Sequence, residues 1–163
     1  MNALAGELHA TVDAAASRLQ TAPEHIVLSP GADGQWSARE LLGHLIDSAV
    51  NNHIRFVRAQ LVEDLAFPGY DQERWVALQN YDAEPWPVLV ELWRLYNLHL
   101  AHVIGAIPDD QLLRPRSTHT LDKIVWQPLR ADEPATLANL IGDYIAHMRH
   151  HLEQLLLMTG SPP

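Results

Sequence analysis

The sequence predicts an all-α protein, a four-helix bundle with long connecting loops, on three observations. Apolar residues recur every three or four positions along four long stretches. Helix start and stop signals bracket those stretches. No set of alternating apolar and polar runs is regular enough to build a sheet. A length of 163 residues with 47% hydrophobic content suits one domain with a sizeable core, so residues 1–163 are expected to form a single unit.

The first helix is expected from Ala3 to Gln20, where Leu4, Leu8, Val12, Ala15 and Leu19 form one stripe before Thr21, Pro23, Pro30, Gly31 and Gly34 break the pattern. Ser37 and Glu40 make a capping-box signature, each side chain satisfying an orphan backbone N–H, so the second helix starts there and runs to about Val62. Its inward stripe of Leu41, Leu45, Ser48, Asn52, Phe56 and Ala59 holds two polar members, which fit either a site or a satisfied core network. Residues 63–85 carry Pro68, Gly69 and the pairs Tyr70-Asp71 and Tyr81-Asp82 around a short helix from Asp71 to Leu78. This connection is long enough to cover part of the bundle. The third long helix spans about Pro87 to Ile107 and stops at Pro108. Between Pro108 and Pro134, Thr118-His119-Thr120 and Ile124-Val125-Trp126 suggest a short hairpin or an irregular cover. The last helix takes Thr136 as N-cap and ends before Gly160, a residue suited to the C′ position; Pro162-Pro163 are expected to fray.

A net charge of -9 argues against non-specific binding to nucleic acid and disfavours large polyanionic substrates. No apolar run approaches the length of a membrane span and no N-terminal targeting pattern stands out, so a cytoplasmic location with no membrane partner is expected. The absence of cysteine removes disulfides, thiolate metal ligands and a cysteine nucleophile together. Apolar outer positions on the first and third long helices offer a surface for a homodimer.

The chemistry is concentrated in histidines. In Asp143-Tyr144-Ile145-Ala146-His147-Met148-Arg149-His150-His151, the imidazoles of His147 and His151 are four residues apart and share one helix face, where both can grip one metal ion. A third ligand is best sought in Trp36-Ser37-Ala38-Arg39-Glu40-Leu41-Leu42-Gly43-His44-Leu45-Ile46-Asp47-Ser48 on the second helix. Alternatively, the histidines are satisfied core imidazoles, since such pairs also arise without metal. His150 points to one side of the pair, and His99 and His102, three residues apart, form a rival pair.

Taken together, Trp36-Ser37, Glu40, His44-Leu45-Ile46-Asp47-Ser48, Asn52, Ile54-Arg55-Phe56, Gly69-Tyr70-Asp71, Trp75, His147 and His150-His151-Leu152 resemble the DinB superfamily of four-helix metalloproteins, in particular its YfiT-like branch. The likeness runs from about Trp36 to Gln154. It implies a mononuclear site in which His44, His147 and His151 hold one divalent transition metal, zinc or nickel. It also implies a hydrolase acting on a small substrate or a transferase for a low-molecular-weight thiol. A noncatalytic metal or small-molecule binding module is the reading from another class.

An ion held by three neutral imidazoles keeps its charge and open coordination positions, which suits activation of water or of a thiol. Asp47 lies one turn after His44 and Asp143 one turn before His147. Each is a partner for an imidazole N–H, a further ligand, a general base or a solvated carboxylate. Arg55 lies near the face of His44, where it either positions an anionic substrate group or makes a structural ion pair. Tyr70 and Trp75 are the expected pocket wall, while most of Trp36, Trp86, Trp93 and Trp126 are expected to anchor packing.

Overall fold

A computed structural model of the chain describes residues 2–160; the Pro162-Pro163 end lies outside them. The elements in order are α1 (Ala3–Gln20), α2 (Glu24–Val27), α3 (Ala38–Arg58), α4 (Gln72–Gln79), a 3-10 turn (Tyr81–Ala83), α5 (Trp86–Gly105), α6 (Asp109–Leu113), α7 (Leu121–Ile124) and α8 (Leu137–Met158). The four long ones, α1, α3, α5 and α8, form the bundle.

Their ends follow local chemistry. Asn2 caps α1 by accepting from the Ala5 N–H at 3.0 Å, and its amide donates to the Ile104 carbonyl at 2.8 Å, pinning the start of α1 to the end of α5. At the other end, Trp86 Nε1 donates to the Leu19 carbonyl at 2.8 Å, so α1 and α5 run antiparallel. Ser37 and Glu40 close the expected capping box on α3. Thr136 and Asn139 close a second one on α8, with an amide in place of the usual carboxylate or glutamine side chain. Past α8, Gly160 has φ 70, the left-handed C′ geometry that a Cβ disfavours.

Helix α3 ends at Arg58, short of Val62. The Gln60 and Leu61 N–H groups bond back only three residues, to the Val57 and Arg58 carbonyls, which tightens and ends the helix. Arg116 Nη1 then caps the Ala59 carbonyl at 2.8 Å. The stretch from Pro108 to Pro134 forms no hairpin. It is an irregular cover carrying α6 and α7, and its β-like pieces make isolated bridges elsewhere: Leu65 with His119 and Arg116 with Ala135. Ile124-Val125-Trp126 falls at the end of α7 and the start of the following loop. Its β-branched residues pack at the edge of the bundle, so propensity yields to tertiary context.

The helices pair in an unusual order. α1 packs on α5 and α8, and α3 packs on α5 and α8, so the consecutive long helices α1 and α3 lie across the bundle from each other. α5 and α8 do the same. The core between them is built from side chains such as Leu8, Leu19, Leu42, Leu45, Leu89, Trp93, Leu100 and Leu137, all essentially buried. The important neighbours for function are α3 and α8. The Phe56 and Tyr144 rings meet at 5.6 Å while His44 meets His151 at 5.0 Å, so the two helices run antiparallel. No helix among the described residues is long and apolar enough to cross a membrane.

Candidate metal centre

Helical spacing and antiparallel packing bring the three histidines together. His44 from the second turn of α3 faces His147 and His151 from α8, and one nitrogen from each ring lies within 4.8 Å of the others. Among the described residues this is the group of three or more histidine, aspartate or glutamate side chains so arranged. His44 Nε2 and His147 Nε2 are 3.4 Å apart. Two imidazole nitrogens on a tetrahedral ion, each at about 2.05 Å, stand about 3.3 Å apart, so this pair fits without rearrangement.

The protonation state fits as well. Burial, then the charge of His151, lowers the His44 pKa to about 4. Burial first, and then His151, His44 and His150, lower that of His147 to about 3. His151 is lowered too, chiefly by burial and against a bond from Gln154. At neutral pH all three rings therefore keep lone pairs free for a cation. Gln154 fixes which one His151 offers. Its Oε1 lies 2.8 Å from His151 Nδ1 and can only accept, which leaves Nε2 unprotonated. Its Nε2 lies 3.2 Å from His150 Nε2 and donates to it. His150 thus stands beside the group, stacked on Trp126 at 4.9 Å, with its Nε2 occupied.

Behind His44 lies a buried network. Its Nδ1 and the Oδ2 of Asp47 are both buried without a hydrogen-bond partner. Oδ1 of Asp47 accepts from Gln79 Nε2 at 2.6 Å and from the Tyr81 hydroxyl at 2.7 Å. Burial raises the Asp47 pKa while those two bonds oppose it. Tyr81 can approach because residue 43 is glycine: a Cβ there would sit 2.0 Å from the Tyr81 ring. Asp47 is therefore anchored to Gln79 and Tyr81 and does not line the open side.

The open side is a cavity of about 550 Å³ between α3, α8 and the loops around Tyr70 and Trp126. All three histidines reach it, and so do Ser48, Asn52, Arg55, Tyr70, Asp143 and Trp126. Asp143 is the carboxylate on this wall, and its two oxygens accept from the Trp126 and Gln127 backbone N–H groups at 2.9 and 2.7 Å. Those bonds hold Trp126 over the site. Tyr70 lines the cavity, whereas Trp75 packs on Tyr70 at 5.1 Å, is 36% exposed and supports it from outside. The Tyr70 phenol is held well above its usual range by burial and then by Asp47, with Arg55 opposing, so it stays protonated.

The structure places His44, His147, His151, Asp143, Arg55 and Tyr70 on one cavity with Trp126, whereas Gln154, Gln79 and Tyr81 were not singled out from the sequence as site residues. Gln154 carried a readable signal, since it lies three residues after His151 on the same helix face. The others arrive from the end of α4 and the 3-10 turn, and carried none. His99 and His102 stack at 6.3 Å on α5, both exposed and remote from the cavity.

A bundle whose antiparallel α3 and α8 present three neutral imidazoles to a cavity is a helical protein built around a polar centre. Comparison with known proteins identifies which. No family model matches the chain. It is 30% identical over 128 residues to the Bacillus subtilis protein named "Putative metal-dependent hydrolase YfiT", covering 78% of this chain and 66% of that one. A Bacillus cereus protein, also named "Putative metal-dependent hydrolase", is 31% identical over 123 residues, covering 76% and 64%. The matched region thus spans just under two thirds of these relatives. The solved structure of YfiT from Bacillus subtilis superposes with a TM-score of 0.74 at 22% identity, over 98% of this chain and 87% of that one, and shares the unusual four-helix bundle topology. The chain belongs to the YfiT-like family.

Proposed function

We propose that the chain is a metal-dependent hydrolase of a small substrate, with His44, His147 and His151 holding one divalent transition metal, zinc or nickel. The observation that carries this reading is the convergence of three lone-pair-bearing imidazoles on an open 550 Å³ cavity. The names of the relatives in Bacillus point the same way. The donor set fits: three neutral nitrogens, two of them already at the spacing of a tetrahedral pair.

A bound ion supplies Lewis-acid polarisation of a carbonyl or phosphoryl oxygen and eases deprotonation of water. The chain's own residues do the rest. Gln154 fixes the tautomer of His151 through Nδ1, and Asp47, one turn from His44 on α3, is anchored by Gln79 and Tyr81 with its Oδ2 unpaired. Asp143 is the carboxylate on the cavity wall, oriented by two backbone N–H groups, and serves as proton acceptor for the attacking water. Trp126 and Tyr70 narrow access to solvent.

The test is elemental analysis of protein purified without tag or chelator, beside the variant His44→Ala, His147→Ala, His151→Ala, followed by turnover of ester, amide and phosphoester panels with and without a low-molecular-weight thiol. About one equivalent of metal in the wild type, none in the variant, and thiol-independent hydrolysis are expected. Obligatory thiol consumption would replace hydrolysis by thiol transfer. Bound metal with no turnover on any panel would leave a binding module.

A further inference from the structure

The cavity has two chemically different ends. His44, Ser48, Asn52 and Arg55 all line it from α3, so its polar wall extends three turns beyond the imidazoles. Eleven residues of helix at 1.5 Å each separate the His44 and Arg55 backbones by about 16 Å.

Arg55 is 6% exposed. Its Nη2 donates to the Pro68 carbonyl at 3.1 Å and its Nη1 to Asn52 Oδ1 at 3.4 Å, which occupies two of the five N–H donors of a guanidinium. Asn52 is itself held by donating to the Ser48 carbonyl at 2.9 Å. Among the described residues no carboxylate oxygen lies within 4.0 Å of Arg55. Arg39, Arg94 and Arg114, by contrast, each face an acid.

A buried cation without a counter-charge is costly. Tethering the loop at Pro68 explains a donor at this position but not a charge, since a neutral amide would bond that carbonyl as well. The other buried guanidinium, Arg116, caps the carbonyl end of α3, where the helix dipole provides negative potential. Arg55 lies in the last turn of the same helix, but its bonds go to Asn52 and the Pro68 carbonyl rather than to the terminal carbonyls of α3. The acid on the cavity wall, Asp143, makes no ion pair with Arg55 within 4.0 Å. Lys123, also on the cavity, is exposed and has Asp122 at 4.0 Å, so the uncompensated charge is that of Arg55. What the Arg55 end lacks is an anion, and its position on the cavity wall leaves room for one.

We propose that the Arg55 end receives an oxyanion carried by the substrate, a carboxylate or a phosphate, so that the substrate is a short anionic molecule whose reacting group lies at the histidine end. The second clause rests on the hydrolase reading; the oxyanion site does not. Arg55 binds the oxygens through its forked N–H groups, and the protonated Tyr70 hydroxyl on the same cavity is a further donor.

The test is calorimetric titration with glutarate, propylphosphonate and the neutral analogue glutaramide. It is run on metal-containing and on chelator-treated protein, so that coordination of the probe to metal cannot account for the signal. Glutarate or propylphosphonate should bind at least about tenfold more tightly than glutaramide in both preparations, and the stronger of the two identifies the oxyanion. Arg55→Gln, with its helicity checked by circular dichroism, should lose that preference, and Arg55→Lys should keep part of it. Equal or absent binding of all three probes to the wild type overturns the proposal, as does an unchanged preference in folded Arg55→Gln. Should Arg55→Gln not fold, the wild-type comparison and Arg55→Lys decide. Charge-selective binding with no hydrolysis of any ester sinks the hydrolase reading and leaves the oxyanion site standing. Hydrolysis without charge selectivity does the reverse.

Discussion

Helix α3 carries two histidine clusters whose rings meet in nearly the same way. His44 and His147 stand 5.3 Å apart at 82°, and His53 and His99 stand 5.3 Å apart at 80°. Their surroundings differ in three respects. His44 is 1% exposed, whereas His53 is half-buried and His99 and His102 are exposed. His53 Nδ1 bonds the Tyr96 hydroxyl at 2.9 Å, whereas His44 and His147 direct Nε2 toward each other. The first cluster opens on a cavity that His53, His99 and His102 do not reach. Ring proximity alone therefore does not make a metal site. Burial keeps the rings neutral, and their lone pairs converge on a space that an ion could reach.

The largest expected effect divides the two clusters outright. His147→Ala or His151→Ala should reduce copurifying metal from about one equivalent to a trace, while His99→Ala and His102→Ala leave it unchanged, as elemental analysis would register. Metal retained by the first pair, or lost with the second, would invert the assignment. A step smaller is the effect of the orienting bond. Gln154→Ala frees the His151 ring and should weaken metal affinity about 10- to 100-fold in a competition titration, whereas Tyr96→Phe, which unties His53, should not alter it.

Acid should separate the clusters in the metal-free protein. Above pH 6.5 neither the folded nor the unfolded chain protonates His44 and His147, and the full stability is present. As pH falls, the unfolded chain takes up protons near 6.5 while the folded rings wait until about 4 and about 3. Stability is then lost by up to about 1.4 kcal/mol per pH unit for each ring. Urea midpoints compared at pH 7 and pH 5 should show the loss, with a smaller loss in His147→Ala. An equal loss in that variant, but a smaller one in His53→Ala, would move the acid-sensitive burial to the other cluster. The smallest effect concerns the support behind His44. Gly43→Ala pushes Tyr81 off Asp47 and should cost about 1–3 kcal/mol in thermal or urea denaturation, with little change in metal content.

Much of this was legible wherever the determining contacts are local. The Ser37–Glu40 box sets the start of α3, apolar spacing sets α1, and the spacing of His147 and His151 follows from helical geometry alone. Contacts made across the bundle were not. Nothing near Trp126 in sequence announces that Asp143 will hold its N–H and turn its ring onto His150. Nothing about Gly43 announces Tyr81. The diagonal placement of α1 and α3 was equally hidden, because an apolar stripe says that a helix has neighbours without saying which.

The distance along the chain between the two halves of the centre has a kinetic consequence. His44 and His147 are 103 residues apart. Bringing the ends of such a loop together costs about 4 kcal/mol of chain entropy, which the packing of α3, α5 and α8 must offset first. Before that docking α3 presents one imidazole of the centre, His44, and α8 the other two, His147 and His151, neither of them a complete ligand set. In refolding from urea, metal capture should therefore keep pace with the slowest tryptophan-fluorescence phase, and capture during an earlier phase would contradict this. On the proposed reading the metal would arrive last, and its retention would certify a finished bundle.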